Sequence, residues 1–232
     1  MHHFGVLKAL LLFALKALRI RAVVLMARPP RATARGESEC LGIRRARPDD
    51  GRLFEAAGFA QTMLEAKLAE GPGWIRVVDS QLVGWNFIGT QQSKIADWLI
   101  LRTGSDTAVW STGTWVRHDL RGGGLLNTFA GYGAAWCLEN GYGEILSWIE
   151  LTNYASRRAT AKLGCREIGR VTVLFRLMGV ALVHDGRRWH LGRWTDSHPL
   201  VLSIAQIRKD HAGQTVGQGA ESPRPSAPSG VR

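Results

Sequence analysis

Three consecutive glycines, Gly122, Gly123 and Gly124, separate a segment typical of a β-strand from one typical of an α-helix. The preceding segment, residues 107–116, is rich in β-branched and aromatic residues, which favours a strand. From Leu125 onward, apolar residues recur at spacings of three and four, which predicts a helix with one buried face. The chain is therefore expected to contain a strand, a glycine-rich turn and a helix in direct succession.

A glycine-rich turn at the start of a helix is suited to binding phosphate. Glycine lets the backbone approach a ligand closely, and the first N–H groups of a helix lack partners within the helix. Glycines also occur in turns that bind nothing, so this short motif alone leaves both interpretations open.

A second strand-to-helix unit follows directly in the sequence. Residues 144–151 have strand character, and Asn153 stands where a helix N-cap is expected. Ala155, Ala159 and Leu163 then fall four residues apart before Gly164. Two such units in tandem predict an α/β (α+β) fold with a mixed sheet and a ligand entering at the glycine turn.

These residues together resemble the acyl-CoA-binding core of the GCN5-related N-acetyltransferases (GNAT). The resemblance rests on Val116, on the run from Arg121 to Gly124, on Asn153 and Ser156, and on residues 162–164. It covers about residues 40–178 and implies a mixed central sheet of about six to seven strands flanked by helices.

The resemblance implies acetyl-CoA as co-substrate and transfer of acetyl to an amine by direct attack. It also implies three groups of cofactor-binding residues. These are Arg121, Gly122, Gly123, Gly124, Leu125 and Leu126 around the pyrophosphate, Trp115, Val116 and Arg117 along the pantetheine arm, and Asn153 and Ser156 near the thiol. Asn153 is equally explained as a helix cap alone.

The catalytic residues are less clearly marked. Thr160 stands where many members of the family have a tyrosine that protonates the leaving thiolate, and Leu126 replaces a usual Gly or Ala. A general base must reach the amine directly or through water. Glu150 is the nearest acidic candidate, although it is also explained as a solvated charge at a strand end, and Tyr154 is the candidate phenol.

These departures keep a second interpretation open, namely a GNAT-fold protein that binds CoA or regulates without catalysis. A nucleic-acid-binding protein is a third, suggested by the net charge of +11. Seven of those charges lie within residues 1–35, which hold no acidic residue, so the rest of the chain carries only +4. Because a body of such low charge attracts phosphate weakly, no nucleic-acid partner is expected.

The N-terminal residues are expected to form a separate arm. Residues 4–27 predict a basic amphipathic helix in which Lys8, Lys16 and Arg19 share one edge. Its uninterrupted apolar run is too short to span a bilayer, so it is expected to lie on an anionic membrane or to pack on protein; a signal peptide suits it less well. The predicted division is an arm at 1–35, an acetyltransferase-like domain at 36–207 and a disordered tail at 208–232.

The sequence also gives expectations for the cellular location of the protein and for the class of its acceptor. Three cysteines without a Cys-x-x-Cys spacing indicate neither a disulfide framework nor a zinc site, and no metal is expected. The expectation is a cytoplasmic enzyme, with peripheral contact to the inner face of the membrane through residues 4–27 as an option. Its acceptor would be a small-molecule or lipid-linked amine.

Overall fold

The computed structural model describes residues 20–31, 42–89, 91–177 and 180–208. The strands are β1 (Arg21–Arg28), β2 (Ile43–Arg45), β3 (Gly73–Val78), β4 (Gln81–Gly89), β5 (Gln92–Ala96), β6 (Leu99–Arg102), β7 (Ala108–Val116), β8 (Glu144–Glu150), β9 (Arg166–Leu177), β10 (Val180–His184), β11 (Trp189–Arg193) and β12 (Leu200–Ser203). The α-helices are α1 (Gly51–Ala56), α2 (Gln61–Glu70), α3 (Leu125–Glu139) and α4 (Tyr154–Lys162).

A mixed nine-stranded sheet forms the centre of the fold, in the order β11-β10-β9-β1-β8-β7-β4-β3-β2. Strands β7 and β8 run parallel, whereas the other neighbours in this sheet are antiparallel. Helices α1 and α2 pack on one face, together with the small sheet β12-β6-β5, and α3 packs on the other. The predicted fold class is confirmed, and the sheet is larger than expected because β1 and the β10-β11 hairpin extend it.

Strand β1 corrects the predicted N-terminal arm. It lies between β8 and β9, antiparallel to both, and Val24 and Leu25 are fully buried on opposite faces. A strand buried on both faces reads as a continuous apolar run, and periodicity alone does not distinguish such a run from a helix. The prediction of a helix reaching residue 27, and of an arm that ends at residue 35, is therefore wrong for Arg21–Arg28. Residues 4–19 of that predicted helix, and the tail from residue 209, lie outside the described residues.

The parallel strands β7 and β8 separate soon after they begin to pair. Their paired residues run only from Ala108 opposite Glu144 to Trp110 opposite Leu146. Trp110, which is fully buried, anchors this end of the pair in the core. Beyond it the strands diverge, and helices α3 and α4 begin just past their separated carboxyl ends. A cleft forms at this fork.

Candidate active site at the fork between two parallel strands

A cleft of about 1150 Å³ opens where β7 and β8 separate. Its walls include Leu126 and Ala130 of α3 and Ala155 and Ala159 of α4. Its lining also includes Trp148, whose indole N–H donates to Ser93 of the small sheet at 3.0 Å. Trp148 therefore lies on the opposite face of the sheet, and the fork joins the two faces.

The glycine-rich turn forms one end of this cleft. Gly122 and Gly124 have φ angles of +86° and +83°, a region that favours glycine, and a Cβ placed on either would meet no atom within 4 Å. Gly124 is the N-cap residue of α3, and no side chain caps that helix. The first amides of α3 therefore border open space and retain hydrogen-bonding capacity for an anion.

The start of α4 borders the same cleft but is capped by its own sequence. The Asn153 Oδ1 atom accepts a hydrogen bond from the Ser156 N–H at 3.1 Å, so the predicted N-cap is present. Both residues line the cleft. Since the cap already uses the Asn153 oxygen, the local role of this residue is to fix the start of α4.

The structure brings most of the predicted site residues to one cleft. Those that line it are Trp115, Val116, Arg121, Gly122, Gly124, Leu125, Leu126, Glu150, Asn153 and Ser156. Gly123 lies within the same turn without lining the cleft. The remaining two residues, Arg117 and Tyr154, are directed elsewhere.

Arg117 and Tyr154 have other surroundings. The Arg117 guanidinium bonds to Asp119 at 2.8 Å and to the Gln81 side chain at 3.0 Å, on the exposed side of the turn. Tyr154 lines a neighbouring groove, and its ring lies 5.9 Å from the guanidinium carbon of Arg157. The structure therefore does not bring the candidate phenol of Tyr154 into the cleft.

The cleft carries positive charge along its length. Arg28, Arg121, Arg158 and Lys162 all line it. The Arg121 Nε–H donates to the Val116 carbonyl at 3.1 Å, which holds its guanidinium over the turn. Arg28 donates to the Ala130 carbonyl at 3.1 Å, and burial lowers its pKa from the ordinary guanidinium value. Sequence analysis missed Arg28 because it assigned that residue to the arm.

Glu150 lies at the fork and is held by an ion pair. Its carboxylate is 3.0 Å from one terminal nitrogen of Arg21, and the other terminal nitrogen of Arg21 donates to the Ile95 carbonyl at 2.8 Å. Roughly half of the Glu150 side chain is exposed, so a ligand in the cleft can still reach it. Arg21 comes from β1, so the N-terminal strand helps to build this end of the site.

The described cysteines do not supply a reactive thiolate. Burial raises the pKa of the Cys137 thiol to about 12 and also raises the pKa of Cys165, which lines the cleft. A thiol must be deprotonated to act as a nucleophile, so both are poor candidates for a covalent acyl intermediate at neutral pH. Among the described residues there is also no cluster of His, Cys, Asp or Glu that could hold a metal ion.

Within the described part of the chain, no helix has the length and apolar character that crossing a bilayer requires. The described helices α1, α2 and α3 pack on the sheet, and α3 and α4 also line the cleft. The longest, α3, places Leu125 and Phe129 in the core directly after the glycine turn.

Known proteins resemble this chain in structure rather than in sequence. No family model and no curated protein matches it. A structure from Novosphingobium aromaticivorans, assigned to the GNAT family of acetyltransferases, matches 73% of this chain and 67% of its own with a TM-score of 0.51 at 14% identity. This likeness confirms the predicted fold: the chain has the acyl-CoA N-acyltransferase fold of the GNAT proteins.

Two other solved structures match less closely. The aminoglycoside N-acetyltransferase AAC(6')-Iy in complex with CoA has a TM-score of 0.44 and 17% identity, over 59% of this chain and 95% of that one. A ribosomal-protein-alanine N-acetyltransferase from Brucella melitensis biovar Abortus 2308 has a TM-score of 0.40 and 18% identity, over 52% and 89%.

Proposed function

We propose that the protein is an acetyl-CoA-dependent N-acetyltransferase that transfers acetyl directly to an amine. The observation that carries the proposal is the cleft at the β7-β8 fork, one end of which is an uncapped, glycine-rich helix start. Arginine and lysine side chains along the cleft suit a ligand that carries several phosphates. The GNAT fold supports the same choice of ligand class.

The cofactor is proposed to lie along β7 and across the start of α3. The turn from Arg121 to Leu126 would take the pyrophosphate through its main-chain amides and the Arg121 guanidinium. The edge of β7 that has lost its β8 partner, around Trp115 and Val116, would take the pantetheine arm. The Ser156 hydroxyl is the polar group proposed to lie near the thiol, because the Asn153 oxygen is committed to the cap.

The acceptor is proposed to reach the thioester from the opposite face of the sheet. Trp115, which packs edge-on against Phe59 of the α1-α2 connection, and Trp148 both lie on that face and line the cleft. An amine between them would lie beside Glu150 at the strand end. Two aromatic walls and one carboxylate suit a cationic amine carried on a ring or chain with apolar surface.

The proposed reaction needs no covalent enzyme intermediate. Glu150, directly or through water, takes a proton from the ammonium, and the neutral amine attacks the thioester carbonyl carbon. The new C–N bond forms as the C–S bond breaks, and the amine nitrogen passes its second proton to water. Water in turn gives a proton to the leaving sulfur, because residue 160 is a threonine and Tyr154 lines a neighbouring groove.

A non-catalytic CoA-binding protein is the alternative, favoured by Thr160 and by the ion pair that restrains Glu150. Calorimetric titration with acetyl-CoA, followed by measurement of free thiol across a panel of amines, separates the two. Binding together with amine-dependent thiol release supports the enzyme. Binding without release for every amine supports the alternative, and absence of binding overturns both.

Small-molecule and lipid-linked amines remain the proposed acceptors, and peripheral membrane contact remains a proposal for residues 4–19 only. Arg21–Arg28 forms a buried strand and is not available to lipid. Flotation of the full-length protein with vesicles containing anionic lipid tests this contact. Co-flotation that weakens with salt supports it, and equal recovery with and without vesicles contradicts it.

A further inference from the structure

Strand β7 contains a bulge at the fork. Gly113 pairs with Phe87 of β4, but Ser111 pairs with the next residue, Ile88, so Thr112 has no partner in β4. The bulge begins two residues after Trp110, the last residue of β7 that pairs with β8. It therefore lies where the two faces of the sheet meet in the cleft, and Thr112 and Gly113 line that cleft.

Two side chains hold this bulge from opposite faces of the sheet. From α2, the Lys67 ammonium donates to the Thr112 carbonyl at 2.8 Å and pairs with Glu70 at 3.2 Å. From β4, the buried Asn86 donates its amide to the Gly113 carbonyl at 3.2 Å and to the Thr114 hydroxyl at 2.6 Å. Neither Lys67 nor Asn86 was singled out by the sequence analysis.

These bonds change what the bulged stretch of β7 offers to a ligand. An unpaired strand edge normally presents both N–H donors and carbonyl acceptors. Here side-chain donors occupy the carbonyls of Thr112, Gly113 and, through Arg121, Val116. The remaining main-chain groups of this stretch are thereby biased towards donors, which suits a ligand rich in carbonyl oxygens.

Packing also restrains the bulge. The hydrogen bond from Lys67 therefore orients the Thr112 peptide but is not the only interaction that holds the bulge in place. A Cβ on Gly89 would lie 2.3 Å from the Thr112 methyl, and one on Gly113, at φ +149°, would lie 3.0 Å from the Trp85 ring. The neighbouring strand is thus shaped around the bulge. Loss of the Lys67 bond should loosen the Thr112 peptide without unfolding the sheet.

We propose that Lys67, assisted by Asn86, is a positioning residue that orients the peptides of the Thr112 bulge so that a main-chain N–H meets the thioester carbonyl of the acyl donor. Lys67 does not touch the donor; it acts through the Thr112 carbonyl. This inference rests on the proposed function, because it requires an acyl-CoA in the cleft. It adds two residues, from α2 and β4, to the site.

The test compares the binding of acetyl-CoA with that of S-ethyl-CoA, a thioether of nearly the same shape without the carbonyl oxygen. For the wild type we expect a preference for acetyl-CoA of about tenfold, the size expected for one well-placed hydrogen bond. Lys67→Met should reduce that preference to below about threefold while leaving the affinity for S-ethyl-CoA within twofold. Lys67→Arg, which keeps a cationic donor, should restore part of the preference.

A matched control is Lys94→Met, which removes an exposed lysine that pairs with Asp97 at 3.7 Å outside the cleft; it should leave both affinities unchanged. An unchanged preference in Lys67→Met overturns the inference, as does an equal loss of both affinities, which indicates a merely structural role. A wild type that binds both compounds equally also overturns it, while the proposed function stands. A wild type that binds neither compound overturns the proposed function itself.

Discussion

The two strand-to-helix units of the cleft are built alike but end differently. The first, β7 to α3, ends in a glycine turn that no side chain caps, whereas the second, β8 to α4, is capped by Asn153. Both helices start at the same end of the sheet. The difference indicates that the Asn153 side chain satisfies one of the first amides of α4, whereas no side chain satisfies those of α3, which are left for a ligand.

The two helices also differ in how firmly they are held. Helix α3 buries Leu125, Phe129, Ala134 and Cys137, while α4 has no buried residue and exposes a basic face. A helix that contributes core residues keeps its first turn in place, because moving it would disturb packing. We infer that α3 supplies a fixed anion site and that α4 supplies an adjustable wall.

The largest expected effect comes from filling the open turn. Gly124→Trp should weaken acetyl-CoA binding at least about 100-fold, because the side chain would occupy the space proposed for pyrophosphate and residue 124 would leave its positive φ. Calorimetric titration measures the loss.

The matched control for that variant is Gly141→Trp, at the other end of α3. Gly141 has a φ of +77°, and a Cβ added to it, like one added to Gly124, would meet no atom within 4 Å. The control variant should lose a similar stability, about 1–2 kcal/mol from the left-handed backbone, without losing affinity. Equal loss of affinity in both variants would show that the comparison between the two helix starts is wrong.

The next largest expected effect is on catalysis and concerns Glu150, at the end of strand β8 in the second unit. Glu150→Gln should lower kcat about 100-fold, the lower range of general-base contributions, with little change in the KM for acetyl-CoA. Glu144→Gln, at the opposite end of β8 where Glu144 pairs with Arg208, is the matched control and should retain kcat. A wild-type kcat in Glu150→Gln would remove Glu150 from the mechanism.

The third prediction concerns stability and the turn at the start of α1, which lies outside the cleft. Asp50 is buried at the start of α1, where it accepts hydrogen bonds from Arg44 at 2.8 Å and from the Arg47 N–H at 2.7 Å. Asp50→Asn should cost about 2 kcal/mol of unfolding free energy, because charged hydrogen bonds are lost in a buried setting. Urea unfolding at pH 7 measures this cost, and acetyl-CoA affinity should not change.

The same residue predicts a pH dependence. Burial acts to raise the pKa of Asp50, but the hydrogen bonds from Arg44 and Arg47 outweigh it and hold the pKa below the ordinary 3.8. Its contribution to stability is therefore complete above about pH 4 and is lost as the pH falls through the folded-state pKa. The difference between wild type and Asp50→Asn should shrink below pH 3.8; a constant difference down to pH 2 would contradict this assignment.

The smallest expected effect separates the cap from the ligand at α4. Asn153→Ala should cost about 1 kcal/mol of stability, and Asn153→Ser should restore most of it, because serine also caps. The affinity for acetyl-CoA should stay within twofold in both. An affinity loss in Asn153→Ser without a stability loss would instead show that Asn153 contacts the cofactor. Both helix starts would then take part in binding, which contradicts the comparison between them.

Local sequence signals predicted the local features of this molecule well. The glycine run at the start of α3 and the Asn153 cap at the start of α4 each follow from neighbouring residues. Neighbouring residues did not decide between helix and strand at residues 21–28, because an apolar run buried on both faces has no diagnostic period. Its location between β8 and β9 depends on tertiary pairing.

The same limit applies to the site. The residues of the glycine turn were recognisable from their order. Arg28, which lines the cleft, and Lys67, which bonds to Thr112 in its wall, come from distant parts of the chain. Lys67 lies 45 residues from the carbonyl that it holds. Asn86 gave one signal, an amide in the apolar middle of strand β4, because a buried polar side chain requires partners. Lys67 and Asn86 both bond to the bulged stretch of β7. A bulge is a feature of strand pairing, and no local sequence pattern marks this one.

The central claim is that main-chain amides at the uncapped start of α3 bind the pyrophosphate of an acyl-CoA. A crystal structure of the protein grown with CoA tests it most directly. The account predicts pyrophosphate oxygens within hydrogen-bonding distance of the amides between Gly122 and Leu126, with the pantetheine arm running into the β7-β8 fork. Clear density for CoA at another place, with this turn unbound, would contradict it.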